Sequence, residues 1–130
     1  MNKTYKIKAL LLDDEEFIRE IFQDYLEDYG IECESFASGF SALEGLKSSQ
    51  SKFDLIVSDI IMPEMDGIEF LKKINETIDY KPSFVFITGG VKIESASSTA
   101  DLEKLIDGYL EKPFKRKELE ELLESLFKAA

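Results

Sequence analysis

The sequence predicts an α/β fold: a doubly wound, five-stranded parallel sheet with helices on both faces. Short apolar runs of strand length alternate five times with segments whose apolar residues recur at helical spacing. Such alternation implies right-handed βαβ crossovers, which place helices over both faces of a parallel sheet. A chain of 130 residues with 44% hydrophobic and 33% charged residues is globular and long enough for one compact domain. The expectation is one domain over 1–130, with its core over about 6–128.

Lys6 to Leu12 reads as a buried strand. Phe17, Ile18, Ile21, Phe22, Tyr25, Leu26 and Tyr29 then follow a helical period, which Gly30 stops. Ile31 to Phe36 alternates, with Glu32 and Glu34 on one face, as suits an edge strand. Ser41 is expected to cap a short helix through Leu46. Phe53 to Ser58 is a second buried strand, and Ile68, Leu71, Ile74 and Ile78 line a third helix. Ser83 to Ile87 is a strongly apolar strand, and Gly108 to Glu111 a short one. Leu119, Leu122, Leu123, Leu126 and Phe127 mark a last amphipathic helix. Ser95, Ser97, Ser98 and Thr99 are poor helix-interior residues, so a loop and then a short helix over Thr99 to Ile106 are expected there. Five strands suggest the flavodoxin-like order 2-1-3-4-5, a common order for such sheets, which places Ile31–Phe36 at an edge.

Composition removes several function classes. A formal net charge of -11 repels phosphate backbones and anionic lipid, so neither direct nucleic-acid binding nor membrane adsorption is expected. The absence of histidine excludes His-dependent triads, His-ligated zinc and phosphohistidine in this chain. A single cysteine, Cys33, rules out an internal disulfide and suits a reducing cytosol. It reads as a small strand side chain rather than a redox thiol. The apolar run Ala9 to Leu12 is too short for a signal peptide or a membrane span.

In open parallel sheets, ligands bind beyond the carboxyl ends of the strands. Asp13 and Asp14 follow the first apolar strand, Asp59 the third, Thr88 the fourth, and Lys112 with Pro113 the fifth. Each residue alone has an ordinary explanation, such as a helix cap, a turn or a solvated charge. Together, three acids, a hydroxyl and an ammonium converge on one end of the sheet. Two carboxylates about 4 Å apart repel by roughly 4 kcal/mol at an effective dielectric near 20, so three need a counter-charge. Mg²⁺ suits few carboxylates with waters and a phosphate. Asp59, in the middle of the array, is the natural nucleophile toward a phosphoryl group. Lys112 could neutralise phosphate oxygens, and the Thr88 hydroxyl could donate to one.

Asp13-Asp14 after an apolar run, Asp59-Ile60-Ile61-Met62-Pro63-Glu64-Met65-Asp66-Gly67, Thr88-Gly89 and Tyr109-Leu110-Glu111-Lys112-Pro113-Phe114 resemble the receiver domains of two-component response regulators. The resemblance runs from about Lys6 to the end of the chain. It implies that Asp14 and Asp59 bind Mg²⁺ directly, assisted by Asp13 and the Ile61 carbonyl. It also implies that Asp59 receives phosphate from a sensor histidine kinase or phosphotransfer protein, and that Thr88 and Tyr109 form a switch pair. Gly67 and Pro113 become structural residues, the latter through a cis Lys112–Pro113 bond. The chain would then be a cytoplasmic switch and not a turnover enzyme, with only self-phosphorylation from phosphodonors and slow autodephosphorylation. Its target protein is unspecified, and it would be a monomer or a phosphorylation-dependent dimer. A stand-alone switch and a piece of a longer regulator or hybrid kinase both fit.

Two departures from the family pattern fall around the fourth helix and last strand. The spacing from Thr88 to Lys112 is long, and Ile106-Asp107-Gly108 replaces a pair of small residues. The apolar Ile61, two residues after Asp59, is expected to limit water access and slow phosphoryl loss. The same residue argues against a dehalogenase-type phosphohydrolase, which needs a second acid there. A phosphorylation-independent scaffold of the same fold is the remaining alternative, although scaffolding alone does not require the acid, threonine and lysine set.

Overall fold

The computed structural model describes residues 3–89 and 100–129. Its elements are β1 (Lys8–Leu12), α1 (Glu16–Asp28), β2 (Glu32–Phe36), α2 (Gly39–Ser48), β3 (Leu55–Asp59), α3 (Gly67–Thr77), β4 (Ser83–Thr88), α4 (Ala100–Glu103), β5 (Gly108–Glu111) and α5 (Arg116–Leu126). All strand pairs are parallel, in the order β2-β1-β3-β4-β5, as expected.

Strand alternation divides the core in two. Leu10, Leu12, Ile56, Phe84 and Phe86 point to one face, where Ala42, Leu46, Phe70, Leu71 and Ile74 of α2 and α3 cover them. Ala9, Leu11, Leu55, Val57, Val85, Ile87 and Leu110 point to the other, against Phe22 and Leu26 of α1 and Leu119 and Leu123 of α5. The central strands are buried on both faces, which explains their unbroken apolar runs.

β2 is an edge strand, and its charges have a use. Lys8 Nζ lies 3.0 Å from Glu34 and 3.9 Å from Glu32, so the edge acids are paired across to β1. Cys33 packs on the α1 side of this strand. Burial first, then Glu27 and Glu34, push its thiol up to about 12, so it carries no thiolate near neutral pH.

The helix ends refine the expected boundaries. α2 begins two residues before Ser41, because Ser38 is the cap and its hydroxyl accepts the Ser41 N–H at 3.2 Å. Gly39, the first residue of the helix, packs closely on Met65, where a Cβ would lie 2.5 Å from the sulfur. Gly30, at φ +73°, ends α1 in the left-handed region, with its N–H donating to the Glu27 carbonyl. α4 spans Ala100–Glu103, inside the expected helix, while Thr99 and the expected loop before it lie outside the described residues. No helix among the described residues is long and apolar enough to cross a membrane.

Candidate functional site

The sheet register brings the site together. Leu12 of β1 pairs with Ser58 of β3, so Asp13, the next residue, arrives beside Asp59. Alternation puts Asp13 after Leu11 and Asp59 after Val57, on the α1/α5 face of the sheet. Thr88 ends β4 in line with Phe84 and Phe86 on the other face, where Tyr109 of β5 is the register partner of Phe86. The backbone N–H of Lys112 donates to the Thr88 carbonyl at 2.7 Å, which carries the β4–β5 ladder one step beyond the strand.

Asp13 is fully buried, Asp59 is 6% exposed and Thr88 is 2% exposed, whereas Asp14 is exposed. Carboxylate oxygens of Asp13, Asp14 and Asp59 lie within 4.8 Å of one another. Lys112 bridges the buried pair, with Nζ 3.2 Å from Asp13 Oδ2 and 3.3 Å from Asp59 Oδ2. A fourth acid, Glu15, stands 3.7 Å from the same ammonium. The Lys112–Pro113 peptide is cis.

Local bonds fix Asp13 in place. Its Oδ1 accepts the Glu15 N–H at 2.9 Å, its carbonyl accepts from Arg19 Nη1 at 2.7 Å, and its N–H donates to the Phe36 carbonyl. Asp13 Oδ2 is sealed from solvent and has no hydrogen-bond partner among the described residues; it meets Lys112 only as an ion pair. A buried carboxylate oxygen with a lone pair to spare, beside two more carboxylates, suits a hard cation with oxygen ligands.

The electrostatics fit the same reading. Burial raises the Asp13 carboxyl above its ordinary range, and the Asp59 charge adds to this, while the Glu15 N–H and Lys112 oppose it. Burial likewise raises Asp59, against the pull of Lys112. Desolvation alone would lower Lys112, but Asp13 and Asp59 together outweigh it and hold its ammonium more firmly charged. One lysine therefore balances three clustered acids incompletely.

The turn after Asp59 is shaped by close backbone approach. Gly67 opens α3 with its N–H donating to the Ile60 carbonyl at 2.7 Å. A Cβ on Gly67 would lie 2.3 Å from the Asp59 carbonyl oxygen and 2.9 Å from Ile60 Cα, so only glycine fits. Asp66 caps α3 by accepting the Glu69 N–H at 2.8 Å. Ile61 is 68% exposed at the mouth of this turn.

The structure gathers Asp13, Asp14, Asp59 and Lys112 into one cluster, with Thr88 joined to Lys112 through the backbone. Tyr109 is half-buried against Phe86, 6.2 Å between ring centroids. Sequence spacing did not show that Glu15 reaches Lys112 or that Arg19 holds Asp13. The position of Glu15, one residue beyond the acid pair, was the available signal.

The sequence profile of the response regulator receiver domain matches residues 9–124. The chain belongs to the response regulator receiver family. It is 35% identical over 130 residues to the chemotaxis protein CheY-3 of Vibrio cholerae, covering 98% of this chain and 95% of that one. It is 32% identical over 130 residues to the transcriptional regulatory protein ResD of Bacillus subtilis, covering 100% of this chain but 52% of that protein. The chain thus spans about half of that larger relative and nearly all of the chemotaxis protein. The crystal structure of V. cholerae CheY4 superposes with a TM-score of 0.79 at 30% identity, over 95% of this chain and 100% of that one. As a receiver domain of two-component response regulators, the chain is a regulatory module, and a phosphoacceptor switch is the function consistent with its family.

Proposed function

We propose that Asp59 is the phosphoacceptor of this receiver and that the phosphoryl group comes from the phosphohistidine of a sensor kinase or phosphotransfer protein. The observation that supports this most is the Lys112 ammonium held between the buried Asp13 and Asp59 carboxylates at 3.2 and 3.3 Å. An Asp59 oxygen attacks phosphorus in line as the P–N bond to the donor imidazole breaks. The imidazole keeps the bonding pair and takes up a proton, and the product is an acyl phosphate on Asp59.

Asp13, Asp14 and Asp59, with the Ile61 carbonyl, would hold Mg²⁺, to which the buried Asp13 Oδ2 and the incompletely balanced acid cluster are suited. When bound, the ion would neutralise charge between these carboxylates and the phosphoryl oxygens. Lys112 then shifts its contact from Asp59 Oδ2 to a phosphate oxygen, and the Thr88 hydroxyl donates to another. Tyr109, on the same sheet face as Thr88, turns into the space that Thr88 leaves. Signalling then passes to the surface of α4 and β5 and to a target protein, either from a monomer or from a phosphorylation-dependent dimer. We place this single domain, 1–130, in the cytoplasm, with self-phosphorylation from small phosphodonors and slow autodephosphorylation as its only chemistry.

Beryllofluoride, which mimics an acyl-bound phosphoryl group, provides a test free of turnover. With Mg²⁺ it should shift the backbone amide NMR signals of Thr88, Tyr109 and Lys112 in the wild type, and none of them in Asp59→Asn. Folded wild-type protein that ignores beryllofluoride at saturating Mg²⁺ would remove this reading.

A further inference from the structure

The acid cluster occupies the carboxyl ends of the strands. At the opposite end lies a cavity of about 290 Å³ between the last turns of α3, the segment leading into β4 and the segment leading into β5. Its walls are Leu71, Ile74, Ile78, Phe84 and Leu105, and its rim carries Asn75, Asp79 and Lys81. A volume near 300 Å³, apolar walls and a few polar groups at the mouth are the marks of a small-ligand site.

The walls are held in place. The Tyr80 hydroxyl accepts the Phe53 N–H at 3.1 Å, and the Lys52 ammonium lies over the Tyr80 ring. Asp107 ties the lead-in of β5 to β4: its carboxylate accepts the Phe84 N–H at 2.8 Å and its own N–H donates to the Phe84 carbonyl at 2.7 Å. A ligand would therefore meet a preformed surface, which lowers the ordering cost of binding. The rim is free to engage one. Asn75, Asp79 and Lys81 are exposed, and their side chains make no hydrogen bond or ion pair among the described residues.

The rim thus offers one carboxylate, one ammonium and one amide above an apolar slot. We propose that this cavity binds a small zwitterionic amphiphile, in chemical class a free hydrophobic amino acid. Its ammonium faces Asp79, its carboxylate faces Lys81, and its side chain lies among Leu71, Ile74, Phe84 and Leu105. The last turn of α3 has no basic residue, so the negative end of its dipole also favours an ammonium there.

Occupancy reaches the phosphoacceptor end through packed aromatics. Phe84 in the cavity wall meets Phe86 at 4.9 Å between centroids, and Phe86 meets both Tyr109 and Gly67, the residue that abuts the Asp59 carbonyl. The two ends are about 13 Å apart along β4, from the strand rise.

The test uses the whole chain and four probes: L-leucine, L-phenylalanine, isovalerate with the carboxylate alone, and isopentylamine with the ammonium alone. At millimolar concentration, at least one amino acid should shift the amide NMR signals of residues 71–84 and 105, and should bind several-fold tighter than either single-charge analogue. Ile74→Trp, which fills the slot, should abolish those shifts. If that variant does not fold, the surface double substitution Asp79→Asn with Lys81→Gln should weaken binding at least fivefold. Absent shifts, shifts that survive these substitutions, or equal binding of the single-charge analogues would each overturn the site. An unchanged beryllofluoride affinity at saturating amino acid would overturn its link to the switch.

Discussion

At the scale of single residues, chemistry is concentrated in positions that a strand end makes available. Asp13, Asp59, Thr88 and Lys112 were legible in the sequence because each ends or directly follows an apolar run, and parallel register brings such positions together. The burial contrast within Asp13-Asp14 was not legible. It depends on Asp13 continuing the inward alternation of β1 while Asp14 turns out at the start of the loop. Glu15 escaped notice for the same reason, since its reach to Lys112 is set by how α1 enters. Ile61 offers a clean residue-scale test, because a side chain 68% exposed can be changed with little effect on stability, within about 0.5 kcal/mol. Ile61→Asn should shorten the lifetime of the phosphorylated state severalfold by admitting and orienting water beside the acyl phosphate. Phosphate release followed after removal of the donor measures this; an unchanged lifetime would discard the gating role of Ile61.

At the scale of elements, what was legible was period, and what was not was exact capping and joints. Apolar spacing located α1, α3 and α5 because their buried stripes repeat over several turns. The cap of α2 is Ser38 and not Ser41, because serine can either cap a helix or sit in its first turn, and only the backbone decides which. The unusual Ile106-Asp107-Gly108 acquires a physical account: Asp107 makes two bonds to the Phe84 backbone, extending the β4–β5 pairing by a side chain. The joint between β3 and α3 is the tightest of these. Gly67→Ala would drive a Cβ into the Asp59 carbonyl and the Ile60 backbone, neither of which can yield without moving Asp59. It should cost about 1–3 kcal/mol, read as a lower urea midpoint, and should also weaken beryllofluoride binding. A Gly67→Ala protein as stable as the wild type would contradict this packing.

At the scale of the whole molecule, the fold stores unfavourable charge at one end of the sheet. Burial raises the Asp13 and Asp59 carboxyls in the metal-free protein, so the folded state holds their protons more tightly than the unfolded chain does. Their contribution therefore grows more favourable as pH falls from neutral, down to the ordinary aspartate value of about 3.9, and is lost again as pH rises. Lys112 is raised as well, so the stability it adds is lost only above the ordinary lysine value of about 10.4. Asp13→Asn should accordingly melt higher than the wild type at neutral pH without Mg²⁺, with a gap that narrows on acidification. Millimolar Mg²⁺ should raise the wild-type melting temperature and leave the variant nearly unmoved. A variant less stable than the wild type at every pH would mean that the cluster is a structural ion pair and not a strained site. The same arrangement explains why net charge and composition speak to partners but not to the reaction: a net charge of -11 disfavours anionic ligands as a class, while the proposed chemistry belongs to a few side chains at strand ends.

The central claim is that Asp59 is the residue that takes the phosphoryl group. Intact-protein mass spectrometry after incubation with acetyl phosphate and Mg²⁺ tests it most directly, with Asp59→Asn in parallel. The expected result is one added phosphoryl group on the wild type, and none on the variant or when Mg²⁺ is withheld. Folded wild-type protein without an adduct, or an equal adduct on Asp59→Asn, would contradict the claim.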